Sequence, residues 1–123
     1  MNFMDDNFYS DEELYRAVLP RDMFWKENGE LSSAAFKDRN GLSVDRGYYR
    51  SDSDVVFDMH MRLDGTIVKV TVADCMNINA CVRYLPSRLN KYHSEIHGGK
   101  DKLMLSALQC KYLARRAIVL NYY

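Results

Sequence analysis

His93, Glu95 and His97 occupy alternate positions in the segment Tyr92-His93-Ser94-Glu95-Ile96-His97. On a strand all three side chains would share a face, and on a helix the two histidines would stack one turn apart. Two imidazoles and a carboxylate can ligate a metal, but this is not the HExxH spacing and a third protein ligand from elsewhere would be needed. Two histidines in one segment serve more often as hydrogen-bonding surface residues, so neither a metal nor a cofactor is assigned. Arg83, Arg88 and Lys91, interleaved with Tyr84 and Tyr92, are the residue types that bind single-stranded nucleic acid, where aromatics stack on bases and cations track phosphates. Five residues make a thin case for such a partner. No G-x-S-x-G elbow is present, and Gly98-Gly99-Lys100 lacks the leading glycine and following hydroxyl residue of a phosphate-binding loop. Hydrolase and nucleotidase chemistry are therefore not expected.

The elements that must position these residues belong to a single domain, because 123 residues can bury one hydrophobic core and are too few for two. Hydrophobic residues at 47% and charged residues at 28% predict a packed interior rather than disorder. Lys plus Arg equals Asp plus Glu at 17 each, so the molecule has no net field to gather nucleic acid or an anionic membrane. The charge is nevertheless polarised. Residues 1–30 are acidic and residues 83–116 basic, which would either orient a partner or neutralise internally. Cys75, Cys81 and Cys110 are odd in number and lack CxxC spacing, which reads as buried reduced thiols. No apolar run approaches the roughly 18 residues needed to span a bilayer, and no secretory leader pattern opens the chain. A cytoplasmic protein with no membrane segment is expected.

Periodicity predicts an α+β fold in which a small mixed sheet packs against a C-terminal amphipathic helix and one or two shorter helices. Residues 1–9 lack a period and read as a loose N-terminal arm, leaving 10–123 as the globular domain. Ser10 and Glu13 have capping-box spacing and could open a helical turn. Strands are expected at 14–19, 42–45, 66–72, 80–85 and 92–96, the clearest being Thr66–Val72 with its alternating valines. Residues 53–63 fit both helical and strand spacing, with helix preferred because Ser-Asp-Ser-Asp supplies N-caps. Asn28-Gly29 and Asn40-Gly41 mark turns in an otherwise irregular stretch. From Lys102 onward, Leu103, Ala107, Cys110, Ala114, Ala117 and Ile118 fall on one helical stripe, predicting a long terminal helix.

Ser32-Ser33-Ala34-Ala35-Phe36-Lys37, Leu42-Ser43-Val44-Asp45-Arg46 and the N-x-x-H-x-E-I segment Asn90–Ile96 resemble a group of small bacterial proteins to which no activity is attached. The likeness covers residues 14–118 and implies a bacterial origin and a whole-chain domain. A looser resemblance is to ADP-ribosyltransferase-type folds, which place an Arg, a Ser and a Glu in that chain order to bind and cleave nicotinamide dinucleotide. Arg16, Ser43 and Glu95 occur in that order, and the resemblance implies an Arg on a phosphate, a Ser at the nicotinamide ribose and a Glu stabilising an oxocarbenium-like centre. The Ser-Thr-Ser triplet of that family is absent, and the chain is small for it. The plainer alternative has Arg16 paired with an acid, Ser43 as an ordinary strand hydroxyl and Glu95 solvated.

The expected function is therefore that of a small bacterial accessory or protein-interaction module. Its binding residues would be Phe3, Phe8 and Tyr9 of the acidic arm, with Arg83 and Arg88, and Tyr122-Tyr123 at the other end. The alternative is an ADP-ribosyltransferase-like enzyme acting through Arg16, Ser43 and Glu95.

Overall fold

Alternation of apolar and polar residues produces six strands: β1 (Glu13–Val18), β2 (Leu42–Arg46), β3 (Thr66–Thr71), β4 (Cys81–Tyr84), β5 (His93–His97) and β6 (Ile118–Leu120). The computed structural model describes residues 4–121, so Phe3 and Tyr122-Tyr123 lie outside the described residues. The strands form one sheet in the order β4-β5-β2-β1-β3-β6. Every pairing is antiparallel, so the sheet anticipated as mixed contains no parallel pair among the described residues. The α+β class holds, with three helices, α1 (Asp52–His60), α2 (Val72–Met76) and α3 (Ala107–Arg116). No described helix is long and apolar enough to cross a membrane.

The side-chain period of 2 gives each strand two faces. One face carries Leu14, Val18, Leu42, Val44, Val68, Val70 and Ile96 into the main core, where Cys75, Cys110 and Leu113 of the helices meet them. The opposite face carries Tyr15 and Ile67 against Val55, Val56 and Met59 of α1. Because α1 lies over β1 and β3, no helix among the described residues packs on the corresponding face of β2, β5 and β4. No helix covers Ser43, His93, Glu95 or Arg83 there.

Residues 53–63, ambiguous in sequence, are helical over Asp52–His60, with the Ser51 side chain accepting from the Asp54 N–H. The terminal helix is shorter than its stripe predicts. It starts only at Ala107, after a capping box between Ser106 and Gln109, and its backbone turns extended at Ala117. Ile118–Leu120 leave the helix and pair with β3 as the edge strand, where β-branched residues are favoured. Consequently Leu103 and Ile118 are exposed, and Leu105 and Leu113 fill the places assigned to them. The capping box expected at Ser10 does not form a helix. Glu13 enters β1 instead and pairs with Lys69 at 2.5 Å.

Both Asn-Gly turns are present, with Gly29 and Gly41 at positive φ. Cys75 and Cys110 are buried free thiols and Cys81 is half-buried. Burial pushes the Cys75 thiol up to about 12, so it carries no thiolate at neutral pH.

The residues anticipated as a loose arm are, over 4–9, tied to the sheet. Arg46, at the end of β2, donates Nη1 to the Asp5 carbonyl at 2.6 Å and Nη2 to the Asn7 carbonyl at 2.9 Å. Its Nε and Nη2 also grip both Glu12 carboxylate oxygens, at 2.7 and 2.9 Å. Phe8 lies under the guanidinium with its ring centroid 4.1 Å away. A fully buried cation thus replaces the hydrophobic anchor that an N-terminal segment so polar cannot supply.

A second charged cluster ties α1 to the sheet. The Tyr15 hydroxyl donates to Asp52 at 2.5 Å, and Lys69 Nζ reaches both oxygens of Asp52. Burial opposes ionisation of Asp52, yet the bonds from Tyr15 and Lys69 outweigh it and hold the carboxyl below its ordinary value of 3.8. A carboxyl lower in the folded state contributes stability that is complete above the unfolded value and is lost as pH falls through the folded one. Asp52→Asn is therefore expected to lower the melting temperature at neutral pH and to shallow its decline below about pH 4. Thermal melts across the acid range check this; an acid limb as steep as that of the unsubstituted chain would remove Asp52 as its source.

Candidate functional site

The open half of the sheet gathers several of the anticipated site residues. Register sets Ser43 opposite Glu95 and Glu95 opposite Arg83, so residues from three adjacent strands form a row across the uncovered face. Asp45 lies opposite His93 in the next position on that face. These residues are 52 positions apart in sequence at the extremes of the Ser43–Glu95 pair, and only strand pairing makes them neighbours.

Glu95 is not solvated as the plainer alternative supposed. Its Oε1 bonds His97 Nε2 at 2.8 Å. The pair sits over Gly41, where a Cβ would stand 2.5 Å from that oxygen, so the positive-φ glycine of the second turn also makes room for it. His93 turns the other way. Its Nδ1 lies 3.0 Å from the Leu85 carbonyl, which requires a proton on Nδ1, and its Nε2 stands 3.4 Å from Ser43 Oγ. His93, Glu95 and His97 share a face as predicted but diverge to different partners. Among the described residues no group of three ligand side chains is arranged to hold a metal.

Arg16 does not join the row. It has the parity of the core-facing residues of β1, and its guanidinium donates to the carbonyls of Ala35 at 2.8 Å and Ser43 at 2.9 Å. β1 pairs with β2 only at Leu14↔Arg46 and Tyr15↔Asp45, so the Ser43 carbonyl loses its ladder partner where the strands part. Arg16 supplies the missing donor. Burial lowers its guanidinium from the ordinary value, opposed by Asp38, and no acid pairs with it directly among the described residues. In place of the acid pairing expected for Arg16, its guanidinium bridges backbone carbonyls, and the residue lines the same cleft as Ser43 and His93.

A cleft of about 590 Å³ opens where β1 and β2 separate, lined by Ser43, Asp45, Asn90 and His93 and by Arg62 above them. Asp45 is buried and holds the rim closed, accepting from Arg62 at 2.6 Å and from Asn90 at 2.9 Å. The tyrosines of the anticipated nucleic-acid stretch are engaged within the fold. Tyr84 packs its ring near Arg46 and donates its hydroxyl to the Lys91 carbonyl, while the Tyr92 ring is covered by Arg50 at 3.3 Å. Arg83 and Arg88 are exposed and make no ion pair among the described residues.

The second surface lies where the N-terminal segment meets the turn after β2, and sequence reasoning found only one of its residues, Tyr9. Tyr48 and Tyr49 follow one another with φ of 46° and 69°, a left-handed conformation that non-glycine residues adopt rarely. The turn is over-determined from both sides. Gly47 N–H donates to Glu13 O at 2.7 Å, and Arg50 donates its backbone N–H and Nε to Gly47 O and its Nη2 to Arg46 O. Arg46 sits 4.8 Å from the Tyr48 ring centroid. The cost is met by these bonds, and the outcome is a corner of rings: Tyr9 to Tyr49 at 5.6 Å and 54°, Tyr48 to Tyr49 at 5.3 Å and 57°. Tyr49 is 76% exposed and Tyr9 56%. The Tyr9 hydroxyl pushes the Tyr49 phenol up to about 12, so Tyr49 stays uncharged at neutral pH. Phe8, named beside Tyr9 as a binding residue, is instead half-buried beneath Arg46.

The charge polarity seen in sequence is not cancelled internally. Among the described residues Glu12 and Glu13 pair with Arg46 and Lys69, and Arg116 pairs with Asp74, so no ion pair joins 1–30 to 83–116. Scans against protein-family models, curated proteins and solved structures each return no match to this chain.

Proposed function

We propose that the protein is a small accessory module that docks a protein partner through the corner formed by Tyr9, Tyr48 and Tyr49. The observation that carries this reading is the pair of successive left-handed tyrosines. Each costs about 1–2 kcal/mol relative to a glycine in that conformation. Strain of this kind is retained where the resulting shape has a use. Rigid, amphipathic tyrosines are also the residues that make productive contact area at interfaces with little entropy to lose. The free thiols fit a reducing compartment, and the cytoplasm is the setting of this reading.

Tyr49→Gly is expected to raise stability by about 1 kcal/mol, since it relieves the backbone and loses an exposed ring. The same substitution should release the partner. Affinity capture with the unsubstituted chain, Tyr9→Ala and Tyr49→Gly, alongside thermal melts, tests both parts. A partner retained equally by all three would remove the corner as the docking site.

A second reading, an enzyme acting on nicotinamide dinucleotide, is favoured by the Ser43–Glu95–Arg83 row. In it Arg16, which lines the cleft beside Ser43, or Arg83, which stands in the row with no ion pair among the described residues, takes the phosphate role. Nicotinamide dinucleotide should then raise the melting temperature, and Glu95→Gln should abolish turnover while leaving the fold intact. Absence of any thermal shift at millimolar dinucleotide would eliminate this reading.

A further inference from the structure

We infer that the tyrosine corner is a receptor for one lysine-type ammonium group presented by the partner, an assignment that rests on the docking reading above. The rings border a pocket of about 120 Å³, lined by Tyr9, Tyr48 and Tyr49 with Asp11 and Glu13, and with Arg50 as the one cation in its wall among the described residues. That is the room of only a few water molecules at roughly 30 Å³ each. A side-chain head group fits, whereas a nucleotide does not.

The chemistry of the walls selects a cation. Aromatic faces carry negative potential and attract ammonium groups within about 6 Å of the ring. The rim adds acids. Asp11 makes no ion pair among the described residues, and it is joined in the preceding segment by Asp5 and Asp6, likewise without one. The cations already nearby are committed elsewhere: Arg46 to Glu12, Lys69 to Glu13 and Asp52, and Arg50 to Asp58 and the Tyr92 ring. None has to be displaced for a guest to enter.

A compact ammonium suits the shape of the corner. Rings tilted at 54° and 57° to Tyr49 make a rounded corner. The protein's own arginine contact is of the flat kind, with Arg50 centred 3.3 Å over Tyr92.

The test titrates the full chain, followed by NMR, with Nα-acetyl-trimethyllysine methylamide, Nα-acetyl-lysine methylamide, the corresponding arginine derivative and a neutral tert-butyl isostere. The ammonium forms are expected to bind at least about tenfold more tightly than the neutral isostere, with shifts confined to residues 9–13 and 47–50. Tyr49→Phe should keep this preference, because the ring face is used. Tyr49→Leu should lose it. Asp11→Asn should weaken binding and reduce its salt dependence. Equal binding of the neutral isostere, or tighter binding of the arginine derivative, overturns the ammonium assignment; if Tyr49→Gly nevertheless releases the partner, the docking reading survives. Retention of the partner by Tyr49→Gly defeats the docking reading, whatever the small molecules do.

Discussion

Arg46→Met is expected to destabilise the protein by about 3–5 kcal/mol, the cost of leaving one member of a buried ion pair without its partner. Arg46 is 0% exposed, and Glu12, its bidentate partner, is 8% exposed. Removing the guanidinium strands the Glu12 carboxylate and frees the carbonyls of Asp5 and Asn7. It also opens a cavity among Phe8, Tyr48 and Tyr84, whose rings surround that charge. Chemical denaturation of Arg46→Met measures the loss. Glu12→Gln combined with Arg46→Met should recover part of it, because the double variant no longer buries a charge. A single variant within about 1 kcal/mol of the parent would contradict the anchoring role, since a median exposed ion pair contributes no more than that. Proteolysis supplies a second readout. Cleavage within residues 4–9 should accelerate, because this one side chain supplies two of the bonds that hold the segment.

Gly65→Ala should destabilise by about 2–5 kcal/mol, and Gly29→Ala by only about 1–2 kcal/mol. Both glycines have positive φ, +113° for Gly65 and +86° for Gly29, so both substitutions incur backbone strain. They differ in surroundings. A Cβ on Gly65 would stand 2.6 Å from the Val18 carbonyl oxygen and 2.8 Å from its carbon, which are backbone atoms at the end of β1. On Gly29 it would meet nothing within 4 Å. The excess at Gly65 therefore isolates the close approach of the α1–β3 turn to β1, which brings β3 into register beside it. Equal losses at both positions in parallel denaturation curves would show that the approach yields without cost.

Much of the sheet is legible in the chain. Leu42-Ser43-Val44, Thr66–Thr71 and Cys81–Tyr84 declare strands because alternation is a property of neighbouring residues, and burial of one face enforces it; Val72, expected to end the second of these, opens α2 instead. The C-terminal stripe misled at both ends for a related reason. Leu103 and Ile118 satisfy helical spacing, but the Ser106 cap sets the helix start, and strand pairing with β3 takes Ile118 out of it. Tertiary contacts outweigh a helical period that extends only one turn past each end.

The candidate sites were legible in part. Ser43, Glu95 and Arg83 could be picked out as polar residues on strands, but their alignment depends on β2, β5 and β4 being neighbours in that register. Arg16 could not be separated from them by sequence, since its role arises from a ladder that stops two pairs in. Tyr48 and Tyr49 gave no signal at all. Tyrosine has no preference for left-handed backbone, and nothing local to Gly47–Arg50 announces that it will be held there.

The amino-acid sequence by itself determined the class of fold, most strand positions, both Asn-Gly turns and the polarised charge, because each follows from composition or from residues within one turn of one another. The tertiary structure alone decided that the sheet is wholly antiparallel, that Arg46 draws the N-terminal segment onto it, and that three tyrosines from two distant segments meet in a corner. These are outcomes of non-local pairing, in which a buried charge and a strained turn are tolerated only because the assembled neighbours satisfy them.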